Sequence, residues 1–220
     1  MVKKKFGQAF QKQLRHHANL VRKVDKELAS SVRLLTRLSD NSPLDCQLVT
    51  LSEFLSECNH ATLECFKQGF ISSGIHVLRL GQEIALKICA FHNKPKLAEK
   101  RRIEPKEVRK VLGNKAANGW AKLYSDLSDV SHHNRSFVEK IYPLLSPNAQ
   151  ISPTCLVLLE IYITLLSNYT MKALYVVNKR LQPRVGQRYA ALVGVYNRLH
   201  KAVEKDWDTL PSKQQALLSV

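Results

Sequence analysis

The run from Cys155 to Leu166 is apolar nearly all the way round a helix, inside one helical pattern that spans about residues 154–181. A helix with no polar face has to be surrounded by other elements. The run therefore predicts the central helix of a bundle. Glu160, Ser167, Asn168, Thr170 and Lys172 interrupt the wider stretch from Cys155 to Val177, which suits a buried helix better than a membrane span.

The rest of the chain supplies partners for it. From about Gln8 to Ser39, Leu14, Val21, Val24, Leu28, Leu35 and Leu38 fall on a heptad stripe, with His17 and Ser31 at its remaining positions. Two polar residues on the seam weaken a coiled-coil reading. The stripe can pack on the body or on a second subunit. Ser42-Pro43 with Asp45 is a helix-start signal, opening a helix that runs to about Gln68, where Gly69 is either a cap or a bend. Ser72 and Ser73 are expected to open a third helix over about 74–92. Further helices are expected at about 105–112, 115–131, 137–142 and 187–208. No period-two pattern is long enough to build a sheet, and no fixed-period repeat is visible. The expected fold is all-α, a bundle of about seven or eight helices. Residues 1–40 form a basic N-terminal helix packing on the body or a partner, and residues 41–220 a single helical-bundle domain.

Charge bears on partners. Lys and Arg number 34 against 18 Asp and Glu, a formal net charge of +16. Such an excess favours a polyanionic partner, with nucleic acid the leading reading and an acidic protein or anionic lipid behind it. The densest basic run is Lys94, Lys96, Lys100, Arg101, Arg102, Lys106, Arg109 and Lys110; Lys12, Arg15 and Arg22 lie on outer faces of the first helix. Together they are the candidate nucleic-acid-binding residues, to be weighed against a solvated linker and a solvated helix face.

Five cysteines, with no CxxC and in helical settings, suit buried thiols in a reducing cytosol better than disulfides or a zinc site. No metal site and no cofactor is expected, since Gly-rich phosphate loops, HExxH, GxSxG and EF-hand patterns are missing. The N-terminal basic residues are not followed by an apolar run, and no membrane partner is expected.

The chemistry-bearing stretch is residues 120–136. Trp120, Leu123, Tyr124 and Leu127 share a helix face, which runs into Asp129, Ser131, His132, His133, Asn134 and Arg135. A histidine can move a proton near neutral pH and an arginine can hold a phosphate, the group types that metal-free RNA cleavage needs. The plainer reading is a helix C-terminus, where histidines meet the last carbonyls and Asp129, Ser131 and Asn134 are turn residues. Arg79 and Glu83, at i,i+4, either pair on a helix surface or project toward this cluster.

The segments GIHVLRLGQEIALKICAF and WAKLYSDLSDVSHHNRSF together resemble HEPN-type domains, all-α bundles of prokaryotic abortive-infection and toxin–antitoxin systems and of RNA-processing proteins. The resemblance covers about residues 70–180. It rests on an Arg/Glu-bearing helix followed by Tyr124-x-x-Leu127-Ser128-x-x-x-His132. It implies a bundle that commonly forms a homodimer and, in active members, a metal-independent endoribonuclease with its site in the dimer cleft. Active members carry Arg-x4–6-His. No arginine stands at that spacing before His132 or His133, so Arg79 or Arg135 would have to serve from elsewhere in space.

Three functional readings follow. The first is an RNA-binding HEPN-like protein of prokaryotic defence or stress response. In its catalytic form His132 or His133 is the acid/base, Arg135 or Arg79 the phosphate clamp and Glu83 an orienting group. The second is a non-enzymatic nucleic-acid- or ribonucleoprotein-binding module. The third is a helical adaptor or antitoxin that docks a protein partner on the 14–38 stripe.

Overall fold

The computed structural model describes residues 7, 8, 10–113, 153–181, 186–210 and 212. Six α-helices lie among them: α1 (Arg15–Leu38), α2 (Pro43–Lys67), α3 (Ile71–Asn93), α4 (Pro105–Leu112), α5 (Pro153–Leu181) and α6 (Gly186–Asp208). The architecture is all-helical among the described residues. Of the seven or eight helices expected, those at about 115–131 and 137–142 fall outside the described residues. A π turn, Phe10–Leu14, leads into α1, and a 3₁₀ turn, Pro95–Glu99, joins α3 to the segment before α4.

Helix α5 is the centre of the bundle. It packs against α1, α2, α3 and α6, and Leu159, Ile163, Leu166, Ala173 and Val177 are sealed from solvent. Helix α1 lies along it through the heptad stripe: Leu14, His17, Val21, Val24, Leu28, Ser31 and Leu35 are all buried. Leu38, the last stripe position, is exposed, because the helix ends there and the chain turns away. The two polar stripe residues meet polar partners on α5. His17 Nδ1 is 3.1 Å from Thr164 Oγ1, and Ser31 Oγ donates to Asn178 Oδ1 at 2.8 Å. Both pairs are 147 residues apart in sequence, so α1 and α5 run parallel in constant register. The stripe is thus filled by the chain's own α5, and it is not the open docking face that an adaptor reading requires.

Helix α2 runs antiparallel to both. Asn59 bonds Thr170 at its lower half and Asp45 bonds Arg180 at its start. Ser42 Oγ accepts from the Asp45 N–H at 3.2 Å with Pro43 in the first turn, as the start signal implies. The Asp45 carboxylate turns instead to Ser39 Oγ and Arg180.

Gly69, at φ 81°, ends α2. The Gly69 N–H donates to Phe66 O and the Phe70 N–H to Cys65 O, the paired bonds of a Schellman closure. The reversal takes only residues 68–70, so α3 starts at Ile71, three residues before the expected position, and Ile71 goes into the core. Gly74 then passes so close to Phe66 that a methyl group there would lie 2.4 Å from the ring. Helix α6 returns antiparallel to α5, with Asn168 bonding Tyr196 and Tyr175 against Tyr189.

This topology defines two ends. The lower end holds the start of α1, the 68–70 turn and the close of α6. The upper end holds the 39–42 turn, the close of α3, residues 94–112, the close of α5 and the start of α6. No described helix is long and apolar enough to cross a membrane.

Candidate nucleic-acid interface

The basic run is held to the upper end by its few apolar side chains. Leu97 and Ala98 of the 3₁₀ turn and Val108 of α4 are buried, and Ile103, Val111 and Leu112 pack partly against the core. Helix α4 is short, but its start is well built: Pro105 occupies the first turn, and Glu104 and Glu107 form a reciprocal capping box. With Val108 inward, Lys106, Arg109 and Lys110 face solvent.

Carboxylates in this segment are largely engaged. Glu107 pairs with Lys100 while closing the capping box, which holds its carboxyl below the usual range. Glu104 pairs with Arg102 at 3.0 Å. Lys94, Lys96, Arg101, Lys106, Arg109 and Lys110 are exposed and have no ion pair among the described residues.

More cations reach the same end from other elements. Arg33 and Arg37 stand exposed on the last turns of α1, and Lys179 and Arg180 on the last turn of α5. Arg180 is tied to Asp45 by a forked pair, Nε–Oδ1 at 2.7 Å and Nη2–Oδ2 at 3.2 Å. That pairing holds the Asp45 carboxyl below its ordinary value and raises the Arg180 guanidinium. Lys179 was not among the candidates from sequence. Its signal is two cations closing an apolar helix, and it acquires meaning only from the topology that brings that helix end to the same end of the bundle as residues 94–110.

Lys12, Arg15 and Arg22 do not join this surface. All three are exposed, but they occupy the π turn and the first turns of α1. A helix rises about 1.5 Å per residue, so Lys12 lies roughly 35 Å along the bundle from the upper end. Arg79 and Glu83 form the i,i+4 pair read from their spacing, Nε to Oε1 at 3.6 Å on α3. His132, His133 and Arg135 lie outside the described residues, as does any approach of Arg79 and Glu83 toward them.

Two strongly displaced acid–base groups lie at the opposite, lower end. Glu160 of α5 is buried beside Asp206 of α6 and Gln13 of the π turn, and burial first, then the Asp206 charge, raises its carboxyl to about 7. One turn along α5, Thr164 meets His17, whose imidazole burial lowers to about 4. Burial also raises the thiols of Cys58 and Cys155 to about 11, and none of the five cysteines is in a disulfide. Such thiols are protonated and inert. No group of three or more His, Cys, Asp or Glu residues among the described residues has an arrangement that could hold a metal ion.

No family model, no curated protein and no solved structure matches the chain.

Proposed function

We propose that this protein binds RNA through the upper end of its bundle. One observation carries the reading: six exposed cations between Lys94 and Lys110 stand without ion pairs among the described residues on an anchored segment, and Arg33, Arg37 and Lys179 are exposed at the same end of the bundle on two other helices. Cations that several elements present at one end of a bundle suit a polyanion. Each phosphate they neutralise releases condensed counterions. Charge alone is compatible with any polyanion. RNA is preferred because residues 70–180 resemble HEPN-type bundles, which also suggests a setting in prokaryotic defence or stress response.

The ribonuclease form of this proposal assigns the acid/base role to His132 or His133 with Arg135. Since Arg79 is already beside Glu83, Arg135 is the better phosphate clamp. Unchanged RNA cleavage in the double variant His132→Ala/His133→Ala would remove this part and leave binding standing.

The interface itself is tested by a pair of triple variants read by anisotropy of a labelled single-stranded RNA. Arg101→Ser/Lys106→Ser/Arg109→Ser is expected to weaken binding by about tenfold or more. Lys12→Ser/Arg15→Ser/Arg22→Ser should leave it near wild type. Equal losses in both would mean diffuse attraction to a basic protein and no defined interface.

A further inference from the structure

Beside the basic end, where α3, α5 and α6 meet, a groove of about 320 Å³ opens between His92, Asn93, Lys172, Tyr175 and Tyr189, with the Cys89 thiol in its lining. Its size is within the range of small-ligand clefts. Among the described residues the lining holds three rings, one amine and one amide, and no carboxylate.

Tyr175 is the centre of it. It is 39% exposed although it stands on the central helix. Its ring lies 5.9 Å from His92, nearly perpendicular, and 5.9 Å from Tyr189, tilted. The two neighbours hold the ring in place without covering it. Lys172, Tyr175 and Lys179 follow at i, i+3 and i+7, so they share one face of α5. The Lys179 ammonium is 5.6 Å from the Tyr175 ring centre. The two lysines are about 10 Å apart along the helix axis, with Tyr175 between them in the chain. Lys172 is partly buried, which lowers the pKa of its ammonium. Asn93 leads directly to Lys94 and the basic run.

A plane of aromatic surface bracketed by cations suits a ligand that is planar between two anionic groups. An unpaired nucleotide in an RNA strand has that chemistry, since bases stack on exposed rings while phosphates track a basic groove. A duplex keeps its bases stacked internally and has no plane to offer.

We propose that this groove is a nucleobase subsite for single-stranded RNA, in which a splayed base stacks on Tyr175 and the flanking phosphates meet Lys172 and Lys179. The inference rests on the RNA-binding reading and deepens it. The subsite makes the protein prefer unpaired over paired RNA. The basic run supplies affinity that both forms share.

The test measures binding of a short mixed-sequence RNA, unpaired and as a duplex, by wild type, Tyr175→Phe and Tyr175→Ala. Tyr175→Ala is expected to weaken the unpaired strand by roughly five- to a hundredfold, the range of one lost base–aromatic stack. It should leave duplex affinity unchanged, and Tyr175→Phe should stay near wild type. A second measurement needs no variant: 4-thiouridine RNA is photo-crosslinked to the wild-type protein and the modified peptides are mapped. Crosslinks are expected at His92, Tyr175 or Tyr189. Crosslinks confined to residues 94–110, or a Tyr175→Ala protein with wild-type affinity for both RNAs, would overturn the subsite and leave the basic interface standing. An acidic peptide that outcompetes RNA and depends as strongly on Tyr175 would reassign the groove to a protein ligand. Failure of wild type to bind either RNA would overturn both readings.

Discussion

His17 and Thr164 are hydrogen-bonded across the seam of two parallel helices at 3.1 Å, one turn of α5 from the buried carboxyl of Glu160. The imidazole and the carboxyl are both strongly displaced acid–base groups. They are displaced in opposite senses with respect to stability. For His17 the folded value falls from 6.5 to about 4, so the unfolded chain binds more protons between those values and stability rises with pH there. For Glu160 the folded value rises from 4.5 to about 7, so the folded chain binds more protons and stability falls as pH rises through that window. Each effect amounts to about 3 kcal/mol over its window.

The two slopes oppose each other between pH 4.5 and 6.5, and stability is expected to be nearly flat there. Single variants should expose each slope. Glu160→Gln is expected to raise stability above neutral pH by up to about 3 kcal/mol and to leave a curve that climbs with pH. His17→Asn keeps a polar partner for Thr164 and should leave a curve that falls as pH rises. Urea unfolding across this range checks both, and parallel curves for the two variants would contradict the account.

Two glycines of α3 should respond oppositely to the same substitution. A methyl group at Gly74 would lie 2.4 Å and 2.5 Å from two carbons of the Phe66 ring, which is sealed in the core. Gly74→Ala is expected to destabilise by about 1–3 kcal/mol, because overpacking outweighs the better helix propensity. At Gly81 the nearest atoms, on Cys58 and Leu55, are 3.5 Å away, an ordinary contact. Gly81→Ala should therefore gain about 0.5–1 kcal/mol. Thermal denaturation of the two variants side by side reads the sign directly.

The Asp45–Arg180 fork predicts an asymmetry. The Asp45 side chain is 3% exposed and that of Arg180 is 43% exposed. Arg180→Ala leaves a buried carboxylate without its main partner and should cost about 3 kcal/mol. Asp45→Ala leaves a guanidinium that water can reach, so its cost should be smaller. Asp45 has a depressed folded pKa, so the pair's contribution is present above the ordinary carboxylate value of 3.8 and is lost as pH falls through the depressed value. The gap between the variants should close in acid. Equal costs at neutral pH would contradict this reading of the pair.

The helical pattern makes much of the bundle legible in the sequence. The apolar run Cys155–Leu166 indicated a central helix, and α5 is one. The Ser42-Pro43 start, the Pro105 helix and the Arg79–Glu83 spacing are all recovered. Where periodicity gives no information, the sequence says less. His17 and Ser31 looked like flaws in a seam, since their partners Thr164 and Asn178 sit 147 residues away and nothing local marks them. The start of α3 was misplaced because a Schellman closure at Gly69 needs fewer residues than the Ser72/Ser73 signal suggested. Lys12 and Lys94 carry the same charge in the sequence, and only the parallel and antiparallel packing separates them to opposite ends. Nothing in the sequence singles out Tyr175 within its largely apolar helix, and its exposure depends on how α3 and α6 flank it.

The central claim is that a fixed basic surface at the upper end binds RNA by neutralising phosphates. Its most direct measurement is the affinity for a single-stranded RNA as a function of salt, in wild type and in Arg101→Ser/Lys106→Ser/Arg109→Ser. The account predicts that log K falls linearly with log salt concentration, and that the triple variant is shallower by about 2 in slope, about 0.7 for each phosphate contact removed. A slope near zero in wild type, or the same slope in both proteins, would contradict it.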